Sequence, residues 1–159
     1  PMAGWKVLTD CLRDGGLMKI GLYSELARKS ILEMRLEINQ SGISPSDVEM
    51  KSFRSSSIVS NEAQHKLVRS WPDFYSLSEL RDLLFHVQEH RFTVPQLKQC
   101  LEELGLKFCG FEDVTVVQNF RRSNIEPDDP YNLDKWQIYE ASNPNVFAGM
   151  YQFWCQKVA

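Results

Sequence analysis

The chain has 159 residues, of which 43% are hydrophobic, and its 18 Lys and Arg against 21 Asp and Glu give a formal net charge of −3. That length is sufficient for one domain with a buried core. The balanced charge, in which Arg121-Arg122 is the one compact basic pair, argues against nucleic-acid binding. The sequence has no apolar run of roughly 20 residues and no signal peptide, so we expect no membrane association and predict a cytoplasmic protein.

The first two predicted elements are a helix and a strand. Residues 2–13 favour a helix because Trp5, Leu8 and Leu12 recur at helical spacing. The segment "LMKIGLYS" at 17–24 is short and almost wholly apolar, which is typical of a strand covered on both faces, as in a parallel sheet. Because the chain starts with Pro1 and not with methionine, we expect it to begin part-way through a larger polypeptide.

A long helical segment follows at residues 25–91. Ser24 is predicted to cap its first helix, which ends at Gly42. The serine-rich stretch 54–61 predicts a break, and the polar helix after it suggests that His65 is solvated. The last helix of the segment carries an apolar stripe made of Leu80, Leu84 and Val87.

The C-terminal part supplies another helix and two further strands. Thr93 and Gln96 form a T-x-x-Q capping box, which predicts a helix start. Segments 106–112 and 150–158 are predicted as strands. Strands separated by helices indicate an α/β fold. Three strands are few for this length, so we expect one part of a larger sheet, with an open strand edge.

The segment "FHVQEHRFT" contains the pattern H-x-x-E-H, formed by His86, Glu89 and His90. On a helix this spacing places two imidazoles one turn apart beside a carboxylate, which is the pattern of an inverted zinc-protease site. A zinc site also needs a third ligand, and the sequence does not single one out. A histidine near a helix end also gains from the helix dipole, which offers a purely structural explanation.

Three long motifs carry a family resemblance: "LRDGGLMKIGLYSELAR", "LLFHVQEHRFTVPQLKQCLEELGLKFCGFE" and "FAGMYQFWCQK". In this order they resemble the C-terminal half of class I S-adenosylmethionine-dependent methyltransferases. They are most similar to a bacterial group of such domains often attached to tetratricopeptide repeats. The likeness covers nearly the whole chain, and one departure is Asp14, where the family usually has proline.

The resemblance implies a partial Rossmann-like sheet with a large helical insertion. The strands at 17–24, 106–112 and 150–158 would be the fifth, sixth and seventh, with the seventh inserted antiparallel between the other two. Residues 1–159 would then form a single partial domain, with 25–91 as a helical lid. The glycine-rich loop that binds S-adenosylmethionine in this fold has no counterpart in the sequence. We therefore expect no cofactor-binding residues in this chain, no metal, and no activity without the missing half.

The resemblance also implies where a substrate would bind. Loops at the carboxyl ends of the strands line the ligand crevice of open α/β sheets. Histidines of near-neutral pKa can deprotonate a methyl acceptor. The predicted catalytic residues are His86, His90 and Glu89, and the predicted substrate-binding residues are Tyr23, Ser24 and Tyr75. A structural role at helix ends is the alternative for each.

Two other functions stay open. The chain could be a non-catalytic interaction or dimerisation module that pairs through its open strand edge, or a zinc hydrolase that uses HVQEH. The partners expected are the N-terminal half of its own domain or a second copy. The substrate itself does not follow from the sequence, because α/β sheets host many chemistries.

Overall fold

The computed structural model describes residues 2–85 and 88–158. Within these ranges the helices and strands follow one another in the order α1 Met2–Cys11, β1 Leu17–Ser24, α2 Lys29–Gln40, α3 Asp47–Val59, α4 Ala63–Val68, α5 Leu77–Phe85, β2 Arg91–Phe92, α6 Val94–Glu103, β3 Leu106–Phe111, α7 Val114–Phe120, α8 Leu133–Ser142 and β4 Tyr151–Lys157. Short 3-10 helices occupy Pro72–Phe74 and Asp129–Tyr131. None of the described helices is both long enough and apolar enough to cross a membrane.

The chain divides into two compact units. The sheet unit contains residues 2–27 and 90–158, with all four strands of the described ranges. The helical unit is Arg28–Glu89, with α2 to α5. It occupies most of the segment 25–91 that the sequence predicts as a helical insertion, whose role as a lid stays a prediction.

The four strands form one mixed sheet in the order β2-β1-β4-β3. Strand β4 is antiparallel to both β1 and β3, so those two strands run parallel to each other. The pairing places Met18 opposite Cys155, which in turn lies opposite Phe108. The predicted α/β class is confirmed, and the last strand lies antiparallel between the other two predicted strands.

Two details of the predicted sheet are wrong. The described residues contain four strands instead of three, because Arg91–Phe92 pairs in parallel with the end of β1. Strand β1 is also not covered on both faces: Leu17, Lys19 and Gly21 are exposed, while the alternate residues are half-buried. In a strand, alternate side chains point to opposite faces, so one face of β1 is open to solvent in this chain.

The core of the sheet unit is rich in aromatic side chains. Trp136 of α8 stacks on Phe120 with ring centroids 3.8 Å apart, and Phe111 of β3 meets Trp136 edge to face. The indole N–H of Trp136 donates to the carbonyl of Pro130 at 2.9 Å, so its one polar group is satisfied in the interior. This packing fixes α8 against the sheet.

The helical unit has its own apolar core. It contains Ile31, Met34 and Ile38 of α2, Phe53 of α3, and Leu80, Leu83 and Leu84 of α5. The predicted break at 54–61 starts later than expected, since α3 continues to Val59 and only Ser60 and Asn61 of that stretch lie outside the helix. The hydroxyls of Ser55 and Ser56 donate to the carbonyls of Lys51 and Phe53, so these serines bond within the helix and do not end it.

Candidate functional site

Three of the site residues predicted from the sequence lie at or beside the carboxyl-terminal end of β1. Tyr23 is half-buried and Ser24 is buried at this end. Strand β2 pairs Arg91 with Tyr23, and it begins directly after His90, which is exposed. The backbone therefore brings Tyr23, Ser24 and His90 to one end of the sheet, the end at which open α/β sheets bind ligands.

Ser24 belongs to a buried hydrogen-bond network. Its hydroxyl donates to Oε1 of Glu140 at 2.6 Å and accepts from the N–H of Ala27 at 3.1 Å. The hydroxyl of Tyr151 donates to the same Oε1, also at 2.6 Å. The predicted helix cap at Ser24 is wrong, because α2 begins only at Lys29. Ser24 instead ties the turn after β1 to α8 and β4.

Burial controls the acid–base properties of this network. It raises the pKa of the Glu140 carboxyl, and the hydrogen bonds from Ser24 and Tyr151 oppose that rise only in part. Burial also raises the pKa of Tyr151, and the bond to Glu140 adds to the effect. Both groups thus favour their neutral forms. Sequence reasoning missed Glu140 and Tyr151, since a single glutamate in a helix and a tyrosine at a strand start carry no recognisable signal.

A cavity of about 220 Å³ lies at the same edge of the sheet unit, beside the end of β3 and the start of β4. Its lining includes Glu112, Asp113, Phe147, Met150 and Gln152. Because β1 and β3 are parallel, this cavity is at the sheet end that also carries Ser24. Its lining combines apolar side chains with the acidic residues Glu112 and Asp113.

A larger and more open cleft of about 850 Å³ lies elsewhere in the sheet unit. It is lined by Lys98, Lys107, Cys109, Tyr131 and Asp134, among others. Lys107 lies near the start of β3, so the cleft is displaced from the end of the sheet at which Ser24 lies. Of the predicted catalytic and substrate-binding residues that the structure describes, none lines this cleft.

Glu89 lies in the helical unit, where two arginines engage its carboxylate. Nη2 of Arg35 is 3.1 Å from Oε2 of Glu89, and Nε of Arg28 is 3.6 Å from Oε1. Arg35 also donates two hydrogen bonds to the carbonyl of Leu83 at the end of α5. These buried contacts join α2 to the segment after α5, which is a structural role, while the predicted catalytic role of Glu89 stays a prediction.

The helical arrangement expected for H-x-x-E-H is wrong. The structure describes α5 as far as Phe85, and residues 88–90 lie in irregular backbone, so Glu89 and His90 are not on a helix. His86 lies outside the described residues, as does Val87 of the predicted apolar stripe. In the described part of the chain, no group of three or more His, Cys, Asp or Glu side chains could hold a metal ion.

The sequence also led to predictions for two residues of the helical unit, Tyr75 and His65. Tyr75 is largely exposed, its ring meets Phe74 edge to face, and its carbonyl accepts from Arg54. The expectation that His65 is solvated is wrong: it is 4% exposed, and its Nε2 lies 2.7 Å from Oε2 of Glu37. Helix α4 has only six residues. Its pattern of apolar residues at three- and four-residue spacing is therefore too short to show which side of the helix faces the core.

Comparison with known proteins identifies a similar protein, but it does not identify an activity for this chain. No family model matches the chain. An uncharacterized protein of Synechococcus sp. (strain PCC 6301) is 29% identical to it over 154 residues, which cover 87% of this chain and 36% of that protein. The chain thus spans about a third of the length of the curated relative it matches. This similarity assigns neither a family nor a reaction.

Proposed function

We propose that the chain is the C-terminal part of a class I S-adenosylmethionine-dependent methyltransferase domain. The observation that carries the proposal is the sheet order β1-β4-β3, with β4 antiparallel to both neighbours. The resemblance of the sequence motifs implies this arrangement for the fifth, seventh and sixth strands of that fold.

The open edge of β1 supports the second part of the proposal, that another segment completes the sheet. Residues Leu17–Leu22 pair with β4 on one side, whereas β2 occupies only the end of the other side, opposite Tyr23 and Ser24. Met18, Ile20 and Leu22 are only half-buried. An additional strand along β1 would satisfy its backbone groups and bury more of these side chains. We assign that strand to the N-terminal half of the same domain.

The residues of this chain do not fit the cofactor. Strand β1 is followed by Glu25-Leu26-Ala27, and β3 is followed by Glu112-Asp113. Neither turn contains the glycines that would let the backbone approach S-adenosylmethionine. The proposal therefore assigns cofactor binding to residues outside this chain, and the chain itself supplies the substrate side of the crevice, with Tyr23 and His90.

The decisive test compares two polypeptides by isothermal titration with S-adenosylmethionine. The complete product of the gene that encodes this chain should bind the cofactor, and the 159-residue chain alone should not. The sequence within about 100 residues upstream of Pro1 should contain a glycine-rich strand–loop–helix. Failure of the complete product to bind would refute the methyltransferase proposal. Binding to the chain alone would contradict the assignment of the cofactor site to another segment.

The same open edge favours a second candidate, a non-catalytic module that dimerises. Two copies of β1 could pair along Leu17–Leu22, and the exposed Leu17 would then be buried. Sedimentation equilibrium of the 159-residue chain distinguishes the candidates. A stable dimer that Leu17→Lys dissociates, together with no cofactor binding by the complete product, would favour this module. Leu36→Lys, at an exposed position of α2, is the matched control.

A further inference from the structure

We propose that the helical unit binds one internal water molecule between Ser57 of α3 and His65 of α4. The water joins the Ser57 hydroxyl to Nδ1 of His65, whose Nε2 lies 2.7 Å from Oε2 of Glu37 on α2. A polar connection thus runs through three helices of this unit. The inference concerns the helical unit alone and does not depend on the proposed methyltransferase activity.

Two buried side-chain atoms of the helical unit, Ser57 Oγ and His65 Nδ1, have no hydrogen bond to any described residue. Ser57 is 0% exposed and His65 is 4% exposed, so bulk solvent does not serve either atom. A buried polar group without a partner destabilises the folded state, and nearly all such groups bond to protein or to ordered water. Both atoms therefore need a partner that the described residues do not supply.

The two atoms belong to adjacent helical turns. Ser57 lies in the last turn of α3 and His65 in the first turn of α4, and only residues 60–62 separate the two helices. Phe53, one turn before Ser57, meets the ring of His65 edge to face with centroids 6.1 Å apart. Arg69, one turn after His65, donates to the carbonyl of Ser57 at 3.4 Å. These contacts place both side chains in the same interhelical space.

The helix backbone does not satisfy Ser57 as it satisfies the neighbouring serines. The hydroxyls of Ser55 and Ser56 donate to carbonyls within α3, which is the usual solution for serine inside a helix. Ser57 makes no such bond and does not bond directly to His65. A small group between the Ser57 hydroxyl and His65 Nδ1 would satisfy both atoms.

The chemistry of the two atoms selects water as this group. Because Nε2 of His65 faces the Glu37 carboxylate at 2.7 Å, that nitrogen carries the hydrogen and donates it. In the neutral ring Nδ1 is then an acceptor, while the Ser57 hydroxyl can donate. A water molecule donates to Nδ1 and accepts from Ser57 at the same time. The nearby carboxylate disfavours an anion, and a larger ligand does not reach atoms that are closed to solvent.

A high-resolution crystal structure of the 159-residue protein tests the site directly. One ordered water should lie within hydrogen-bond distance of both Ser57 Oγ and His65 Nδ1. Long-range ¹H–¹⁵N NMR correlation should show the neutral ring of His65 as the Nε2–H tautomer. A direct bond between Ser57 and His65, or well-defined density without a water between them, would overturn the proposal. The Nδ1–H tautomer would contradict it as well, because Nδ1 would then not accept from water.

Urea unfolding gives an independent result that depends on the sign of a change. Removal of an unpaired buried hydroxyl in Ser57→Ala would raise the midpoint, whereas removal of a hydroxyl that holds the water should lower it. Ser55→Ala is the matched control, because Ser55 is exposed on the same helix and the substitution gains the same helix propensity. We expect the midpoint of Ser57→Ala to lie below that of Ser55→Ala. An equal or higher midpoint refutes the water site.

His65→Gln separates the water site from the contact with Glu37. Glutamine keeps a nitrogen donor for the carboxylate but has no counterpart of Nδ1. If one water joins the two side chains, Ser57→Ala should lower the midpoint less in the His65→Gln background than in wild type. Equal losses in both backgrounds would show that the two side chains are not coupled and would refute the proposal. If the variants do not fold, the wild-type crystal structure still decides.

Discussion

The hydroxyl of Tyr151 lies 2.6 Å from Oε1 of Glu140, in the interior of the sheet unit. Glu140 lies near the end of α8, and Tyr151 is the first residue of β4. This hydrogen bond therefore links α8 directly to β4, the strand that lies between β1 and β3. The same carboxyl oxygen also holds Ser24 at the end of β1. Three elements of the sheet unit thus meet at a single atom.

Replacement of Tyr151 by phenylalanine should destabilise the protein by about 1–2 kcal/mol, because a buried acceptor loses one of its donors while the ring volume is kept. Urea unfolding measures the change. Tyr139→Phe is the control: Tyr139 is half-buried, and its hydroxyl has no hydrogen bond to the described residues, so the variant should stay within about 0.5 kcal/mol of wild type. Equal effects of the two substitutions would show that the Tyr151 hydroxyl has no special role.

Replacement of Glu89 by glutamine should destabilise the helical unit by about 3 kcal/mol, since it leaves the positive charges of Arg28 and Arg35 without their shared buried carboxylate. Both partners of the exposed ion pair between Arg81 and Asp47 are accessible to water. Asp47→Asn should therefore cost less than about 1 kcal/mol. Chemical unfolding of both variants provides the comparison. A Glu89→Gln variant as stable as Asp47→Asn would contradict a structural role for Glu89.

Burial should make the thiols react unequally. It raises the pKa of Cys155 to about 11, so at pH 8 roughly one molecule in a thousand carries its thiolate, and burial also raises the pKa of Cys100. Cys11 is exposed. Iodoacetamide labelling of the native protein, followed by peptide mass spectrometry, should modify Cys11 far sooner than Cys155. Rapid labelling of Cys155 at pH 8 would show that β4 opens easily.

The strands and the capped helix could be predicted from local patterns. Strand β1 has the predicted bounds, and β3 and β4 agree within one residue at either end. The capping box of Thr93 and Gln96 is confirmed, because its reciprocal hydrogen bonds lie within four residues of sequence. Such features depend on residues that are close together in the sequence, and so they can be predicted from the sequence alone.

The missed features depend on distant partners. The two-residue strand β2 exists only because the end of β1 offers it a partner, and a segment of that length has no detectable periodicity. Glu140 is significant because of Ser24, which lies 116 residues away. The sequence placed Tyr23 and Ser24 at the end of the first strand, where a role in binding stays a prediction, whereas the buried network that holds Ser24 required the tertiary structure.

The glycine after α6 supplies a test of the backbone itself. Gly105 has a φ of 63°, and a Cβ at this position would meet no heavy atom within 4 Å. Gly105→Ala should therefore cost about 1–2 kcal/mol through left-handed backbone strain alone, without any steric clash. Loss of the turn would also disturb the bond from the N–H of Val158 to the carbonyl of Gly105, which ties the C-terminus to this corner.

A second glycine offers the matched control with the opposite sign. Gly4 lies within α1, and a Cβ there also meets nothing within 4 Å. Gly4→Ala should stabilise the protein by up to about 1 kcal/mol, because alanine loses less conformational entropy in a helix. Thermal unfolding of both variants should move the midpoints in opposite directions. Neither site contains an atom that would clash with a new Cβ. If both substitutions moved the unfolding midpoint in the same direction, the left-handed conformation of Gly105 would be refuted.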